Sequence, residues 1–448
     1  MRDVISAIEE RLPEPTARGL SQAVSEAIRD GLITPGDRLP SIRDVAQQLA
    51  LSPTTVSSSW RLLAQSGVVR GDGRRGTVVL DRSAGVPSRY RAAMTWQSEL
   101  PLDLSRGVPD GTLLPSLERV VISPLASAGY VTTSVLPQLH EAALANWPCP
   151  APEVAVVDGA MDALDLIVRT QIGFGDKVAI EHPAYAPLVD LLESVGAQIV
   201  PLELDAQGIR PDELTRGLGE HVVALVLQPR GQNPTGVTMT PQRGRELGAL
   251  LAGSSVLVVE DDFSGAISMH APISLGQWLD EPVVHIRSYS KSHGPDLRLA
   301  VMSGPAEVMA QVQARRHLGQ GWTSRLLQGL LATMLADPST RARVAAARET
   351  YAQRRLAVVQ ALARRGISVR GDDGLNIWVP VRDEATALVR LARDDIGVAP
   401  GSTFILTSPY PAHVRVTAGL VPVEEAERVA AAIGSAADPR PGRAAFGR

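Results

Sequence analysis

Along the first 80 residues the apolar positions form three helical stripes and then switch to strand-like runs. Residues 16–31 place Leu20, Val24, Ala27 and Ile28 on one face and stop at Gly31, which predicts an amphipathic helix with a glycine C-terminal signal. After the turn "LITPGDRLPS", Ser41 can cap a second helix carrying Ile42, Val45, Ala46 and Leu49. Ala50 and Leu51 make a short turn, and Ser52 can cap a third helix with Pro53 at its first position. In that helix Val56, Trp60 and Leu63 point inward at helical spacing, leaving Thr54, Thr55, Ser57, Ser58 and Arg61 on the other face. "GVVRGDGRRGTVVL" then reads as two short strands around a glycine-rich tip holding Arg74 and Arg75. This order predicts a winged helix-turn-helix, an α+β unit whose outer hydroxyls and arginine suit a DNA major groove.

From Asp81 to Pro101 the periodicity disappears into Ser, Gly, Pro and Arg, as in a linker. Beyond it strand and helix patterns alternate: "EVAVVD" with "GAMDALDLIVRTQI", "DKVAIEH" with "YAPLVDLLESVG", then "VVALVLQP", "SSVLVVEDD", "PVVHIRSYSK" and "RLAVMSGP". That alternation predicts an α/β fold with a mostly parallel sheet covered by helices. The expected multidomain layout is therefore 1–80 for DNA binding, 81–101 as linker and 102–438 as the α/β unit, with a smaller C-terminal part from about 330.

Charge and composition narrow the reading. A net charge of −4 excludes a nucleic-acid coat spread over the whole surface, so DNA contact needs a local patch. One exists: between Ile42 and Thr77, Arg43, Arg61, Arg70, Arg74 and Arg75 face only Asp44 and Asp72. Cys149 is the single cysteine, which excludes an intrachain disulfide framework and suits a reducing compartment. The opening "MRDVISAIEERLPEP" lacks a secretory apolar core, and no later run has membrane-spanning length, so a cytoplasmic protein is expected. Lysine is almost absent: the 44 basic residues include only Lys177 and Lys291. Arginine replaces lysine wherever charge alone matters, but only a primary amine can lose its proton and attack a carbonyl.

Lys291 lies at a strand end, where α/β folds keep their chemistry. Other strand ends carry compatible groups. Gly159, Ala160 and Met161 open a helix whose N–H groups can hold a phosphate. Asn233-Pro234-Thr235-Gly236 sets an amide on a turn, and Glu260, Asp261 and Asp262 end an apolar run where a buried carboxylate needs a cation. Ser288, Ser290 and Arg298 add phosphate donors around Lys291. Together they describe a site for pyridoxal 5'-phosphate, with a carboxylate for the pyridinium nitrogen and a lysine for the aldehyde.

"LPSIRDVAQQLALSPTTVSSSWRLLAQSGVV" followed by "GRRGTVV" resembles the GntR-type winged-helix signature. That resemblance implies DNA contacts from Arg43 and Thr55, with Arg74, Arg75 and Gly76 at the wing tip; Ser52, Thr54 and Arg61 complete the expected DNA-facing set. Pro53 departs from the arginine often found there. Residues 102 to about 435 resemble the fold type I, class I aminotransferases through "NPTG", "EDD" and "SYSK…DLR" in family order. The resemblance implies Lys291 as the Schiff-base lysine, Asp261 as pyridinium partner, Asn233 as donor to the phenolic oxygen and Tyr185 stacked on the ring. Ser288, Ser290, Arg298 and the Gly159–Met161 backbone would hold the phosphate, and Arg415 an effector or substrate carboxylate. Phe263 stands where that family usually has tyrosine, which removes a hydrogen-bond donor to the cofactor. Lys177 falls in a solvated turn of the family and is expected to have no functional role. The two units in one chain look like the MocR subfamily of transcription regulators, nearest the PtsJ-type branch linked to vitamin B6 metabolism. The expectation is a homodimeric, PLP-binding regulator of transcription that senses PLP, an amino acid or an amine, with little or no turnover and no metal. A catalytically active aminotransferase is the alternative.

Overall fold

The computed structural model describes residues 2–34, 36–65, 68–71, 76–79, 89, 100–116, 134–281 and 283–437. The N-terminal unit begins with α1 (Arg2–Glu9), whose Ile5 and Ile8 enter the core. α2 (Ala17–Arg29) starts at Thr16, whose side chain accepts the Gly19 N–H, and ends before Gly31 at φ 75°. β1 (Arg38–Leu39) leads to α3 (Ile42–Gln48) and α4 (Pro53–Gln65). Ser41 caps α3 by accepting from Asp44 N at 3.2 Å, and Ser52 caps α4 by accepting from Thr55 N at 3.0 Å. β2 (Val69–Gly71) and β3 (Thr77–Val79) pair antiparallel, and β1 joins the far side of β3. Leu20, Val24, Val45, Val56, Trp60 and Leu63 are all buried in one cluster. Ser59 is buried as well, because it meets Ser21 of α2 at 3.0 Å and fastens the two helices.

Of the expected linker, Arg89, Leu100 and Pro101 fall among the described residues. Arg89 pairs with Glu193 at 2.8 Å. β4 (Leu102–Asp103) and α5 (Pro137–Leu144) precede an eight-stranded sheet. In chain order its elements are β5 (Glu153–Val157), α6 (Ala160–Gln171), β6 (Lys177–His182), α7 (Ala186–Ser194), β7 (Gln198–Asp205) and β8 (Gly208–Ile209). α8 (Pro211–Gly219), β9 (Ala224–Leu227), α9 (Pro241–Leu251), β10 (Leu257–Asp262), β11 (Val284–Ser288) and β12 (Ala300–Gly304) follow. The order across the sheet is β5, β12, β11, β10, β9, β6, β7, β8, parallel from β11 through β7, with β12 and β8 antiparallel to their neighbours. Strands buried on both faces explain the unbroken apolar runs, since separate clusters pack on each side. Lys177 is the first residue of β6 rather than part of a turn, and its amine lies 3.4 Å from Glu220.

α10 (Ala306–His317), α11 (Arg325–Ala336) and the long α12 (Pro338–Ala363) lead into a smaller layer. There β13 (Ile377–Pro380), α13 (Glu384–Arg393), β14 (Ile396–Gly397), β15 (Ala399–Pro400), β16 (His413–Val416) and α14 (Ala426–Ala437) surround a second core. β14 pairs with β4, so the chain entering the α/β unit is tied to the smaller layer.

Candidate functional site

On the N-terminal unit the capping chemistry and the exposed face coincide. Arg43, Ser52, Thr54, Arg61 and Gly76 are exposed and Thr55 is half-buried, its hydroxyl 2.8 Å from that of Ser52. Val56 and Trp60 of the same helix turn inward, so the outer face can meet a ligand without disturbing the core. Arg74 and Arg75 lie outside the described residues.

The other expected residues gather where β9, β10 and β11 end. β10 carries Asp261 and Asp262 as its last two residues, and a strand sends neighbours to opposite faces. Asp262 is held by Arg230 at 2.5 and 3.1 Å and has Arg287 at 3.5 Å. Asp261 instead accepts one hydrogen bond, from Gln228 Nε2 at 2.8 Å, and its Oδ1 has no partner among the described residues. Lys291 follows β11, and its amine donates to Gly107 O at 2.8 Å. Arg415 on β16 donates to Asn233 Oδ1 at 3.0 Å and to Ser105 O, with its guanidinium over the Phe404 ring. Tyr185, at the start of α7, lines a cavity together with Asp261, Gln228 and Glu181. The Ser288 hydroxyl accepts from Ser290 N at 3.3 Å. Phe263 is half-buried directly after β10.

The phosphate end is built from backbone geometry. Gly159 has φ 100°, and a Cβ there would lie 3.3 Å from Arg298 Nη2. Glycine therefore leaves the mouth of α6 open between its first N–H groups and the guanidinium. Arg298 itself adopts a left-handed φ of 49°, which swings it back so that Nη2 reaches Asp158 O at 3.4 Å.

Electrostatics separate the two aspartates. For Asp262, burial alone would raise the carboxyl, but Arg230 and His285 hold it down to about 2. For Asp261, burial wins and pushes it up to about 7, with the Gln228 hydrogen bond opposing and the Asp262 charge adding to the rise. Lys291 is pushed down to about 8 by burial and by the cations of Arg415 and Arg298, against the pull of Asp261. A buried carboxylate oxygen without a donor is destabilising by about 1–3 kcal/mol, so the site is shaped to receive a cation at Oδ1. A protonated pyridine nitrogen satisfies it, an amine with a lowered pKa stands ready for an aldehyde, and the Gly159–Arg298 mouth suits a phosphate. The residues fit the group that the sequence resemblance implies.

Sequence reasoning missed four residues that the fold brings here. Gly107 and Ser105 supply the carbonyls that hold Lys291 and Arg415, and Asn376 lies beside Gly107. Gln228 holds Asp261. Only Gln228 left a readable trace, a polar residue closing the apolar run "VALVL".

Comparison with known proteins agrees with this geometry. Residues 103–433 match the model of the family described as aminotransferase class I and II, and residues 16–79 that of the bacterial regulatory proteins of the gntR family. The chain is 32% identical over 412 residues to the vitamin B6 salvage pathway transcriptional repressor PtsJ of Salmonella typhimurium, covering 88% of this chain and 92% of that one. It is 26% identical over 382 residues to the pyridoxine biosynthesis transcriptional regulator PdxR of Corynebacterium glutamicum, covering 81% and 82%. Among solved structures, the multiple substrate aminotransferase of Thermococcus profundus superposes with a TM-score of 0.72 at 21% identity, over 79% of this chain and 96% of that one. At that identity the likeness concerns the fold.

Proposed function

The chain belongs to the aminotransferase class I and II family and carries a gntR-family DNA-binding unit, the pairing that defines MocR-type regulators, and from this premise we propose that it regulates transcription in response to pyridoxal phosphate held between Lys291 and Asp261. The observation that carries the reading is the buried, donor-free Oδ1 of Asp261 in a chain whose N-terminal unit presents the exposed face of α4 to DNA. The relatives whose names concern vitamin B6 support the choice of effector.

Pyridoxal phosphate, when bound, supplies an aldehyde for an amine and a ring that draws electrons toward its protonated nitrogen. The chain's own residues do the rest. Asp261 Oδ1 accepts the ring N–H and keeps that proton in place. Lys291 presents an amine that gives up its proton near neutral pH because burial and two guanidinium groups disfavour its charge. Arg298, Ser288, Ser290 and the first N–H groups of α6 bind the phosphate, and Arg415 offers a cation to the carboxylate of an amino-acid effector. Phe263 packs without offering a donor to the phenolic oxygen, and loss of such a buried bond is worth on the order of 1 kcal/mol. Asp296 stands in the loop before Arg298 where glycine is common in the family. Both changes lower turnover, and the site acts as a sensor. Two half-sites on DNA call for two reading heads, so the working form is a cytoplasmic homodimer.

Arg415 and the lowered Lys291 amine also favour a second reading, an active aminotransferase. The two part in one experiment on PLP-loaded protein: one portion is reduced with borohydride to locate the pyridoxyl group, and an unreduced portion is assayed for operator binding and for transamination of common amino acids. A pyridoxyl group fixed on Lys291, with DNA binding and negligible transamination, supports the regulator. Fast transamination would favour the enzyme.

A further inference from the structure

Behind the ring end of the site lies a second layer. β9 is apolar through Leu227, and the next residue, Gln228, is an amide with 6% exposure. Each of three polar groups on it is committed. Nε2 donates to Asp261 Oδ2 at 2.8 Å, Oε1 accepts from Asn233 N at 2.9 Å, and the backbone N–H donates to Glu181 Oε2 at 2.8 Å. One residue thus ties the end of β10 to the Asn233 turn and to β6. Glu181 is itself buried at 7% exposure.

We propose that Gln228 is the positioning residue of the ring end: by holding Asp261 Oδ2 and Asn233 N together it aims Asp261 Oδ1 at the ring nitrogen and fixes the Asn233 side chain relative to it. The inference rests on the cofactor reading above. A carboxylate with one oxygen held by a buried amide can rotate only by breaking that bond, so its free oxygen keeps a fixed direction. An uncharged donor also leaves the Asp261 charge intact for a pyridinium, whereas Arg230 already neutralises Asp262 on the opposite face. Glu181 must not compete. Burial pushes it up to about 8, with the Asp261 charge adding to the rise against the Gln228 N–H, so at neutral pH it carries a proton.

The test uses full-length protein in three forms: wild type, Gln228→Met and Gln228→Glu. Each is titrated with PLP by fluorescence, and the pH midpoint of the bound absorption band is measured alongside borohydride trapping. Gln228→Met should still trap PLP on Lys291 but bind it about tenfold or more weakly and shift the midpoint, because a hydrogen bond to a charged group is lost. Gln228→Glu keeps the side-chain shape should the methionine variant not fold, and its affinity loss should grow as pH rises and the new acid ionises beside Asp261. Wild-type affinity and midpoint in both Gln228 variants would overturn the positioning role. If wild type neither binds nor traps PLP, the cofactor reading itself fails, which is a separate result.

Discussion

On α4, Thr54 and Arg61 stand exposed while Trp60 and Leu63 of the same helix do the packing; at the strand ends the polar groups of Asp261, Glu181 and Arg415 are themselves buried. Exposed side chains of α4 such as Thr54 and Arg61 can therefore change with little effect on the fold. The site residues are tied to backbone or side chains far away in the chain: Arg415 is held by Asn233 and Ser105, Lys291 by Gly107. The comparison explains how one chain can join a replaceable reading face to a pre-wired sensor. It also says where each kind of mutation should register.

The largest effect is expected from Lys291→Ala, which removes the single amine at the site and should abolish borohydride fixation of PLP, read by mass spectrometry of the peptide, while operator binding in the absence of PLP persists. Persistent fixation at that peptide would break the comparison on the sensor side. Asp261→Ala comes next. Removing one partner of a buried ion pair is worth about 3–5 kcal/mol, so PLP affinity should fall by roughly a hundredfold or more in a fluorescence titration. Replacing both Arg74 and Arg75 should lower the slope of log affinity against log salt by about one unit per lost phosphate contact, with unchanged thermal stability. An unchanged slope would take the wing out of the DNA interface.

A smaller effect concerns stability and pH in the cofactor-free protein. Asp261 is raised to about 7 in the folded chain, against an unfolded value of about 3.9. The folded state then binds the extra proton between those values, so this group's contribution to stability falls as pH rises from about 4 to 7. Lys291 works in the opposite sense: lowered to about 8 when folded, from about 10.4 unfolded, it makes stability rise with pH across that interval. Urea unfolding over a pH series should show Asp261→Asn flattening the acidic limb and Lys291→Met the alkaline one.

Much of both regions was legible in the sequence, for different reasons. Periodicity marks α2, α3 and α4 because a helix packing on one face must repeat its apolar residues, and Ser41 and Ser52 mark their starts because exposed N–H groups need an acceptor. The lone functional lysine and the acidic end of "SSVLVVEDD" pointed to the sensor because charge at the end of an apolar strand is otherwise unfavourable. What could not be read was the wiring. Gly107 and Lys291 are 184 positions apart, and Ser105 and Arg415 are 310 apart, so no local pattern announces them. The family resemblance singled out Asp261 over Asp262 but not the physical reason: the pleat and the location of Arg230 leave Asp262 neutralised and Asp261 with a free oxygen.

The most direct measurement is a titration of the DNA upstream of the protein's own gene with wild type and Lys291→Ala, each with and without PLP, at fixed salt. A ligand shifts a regulator only if it binds two arrangements unequally. PLP should change the operator affinity or footprint of the wild type and leave Lys291→Ala unaltered. Equal affinity and an identical footprint for the wild type in both conditions would contradict it.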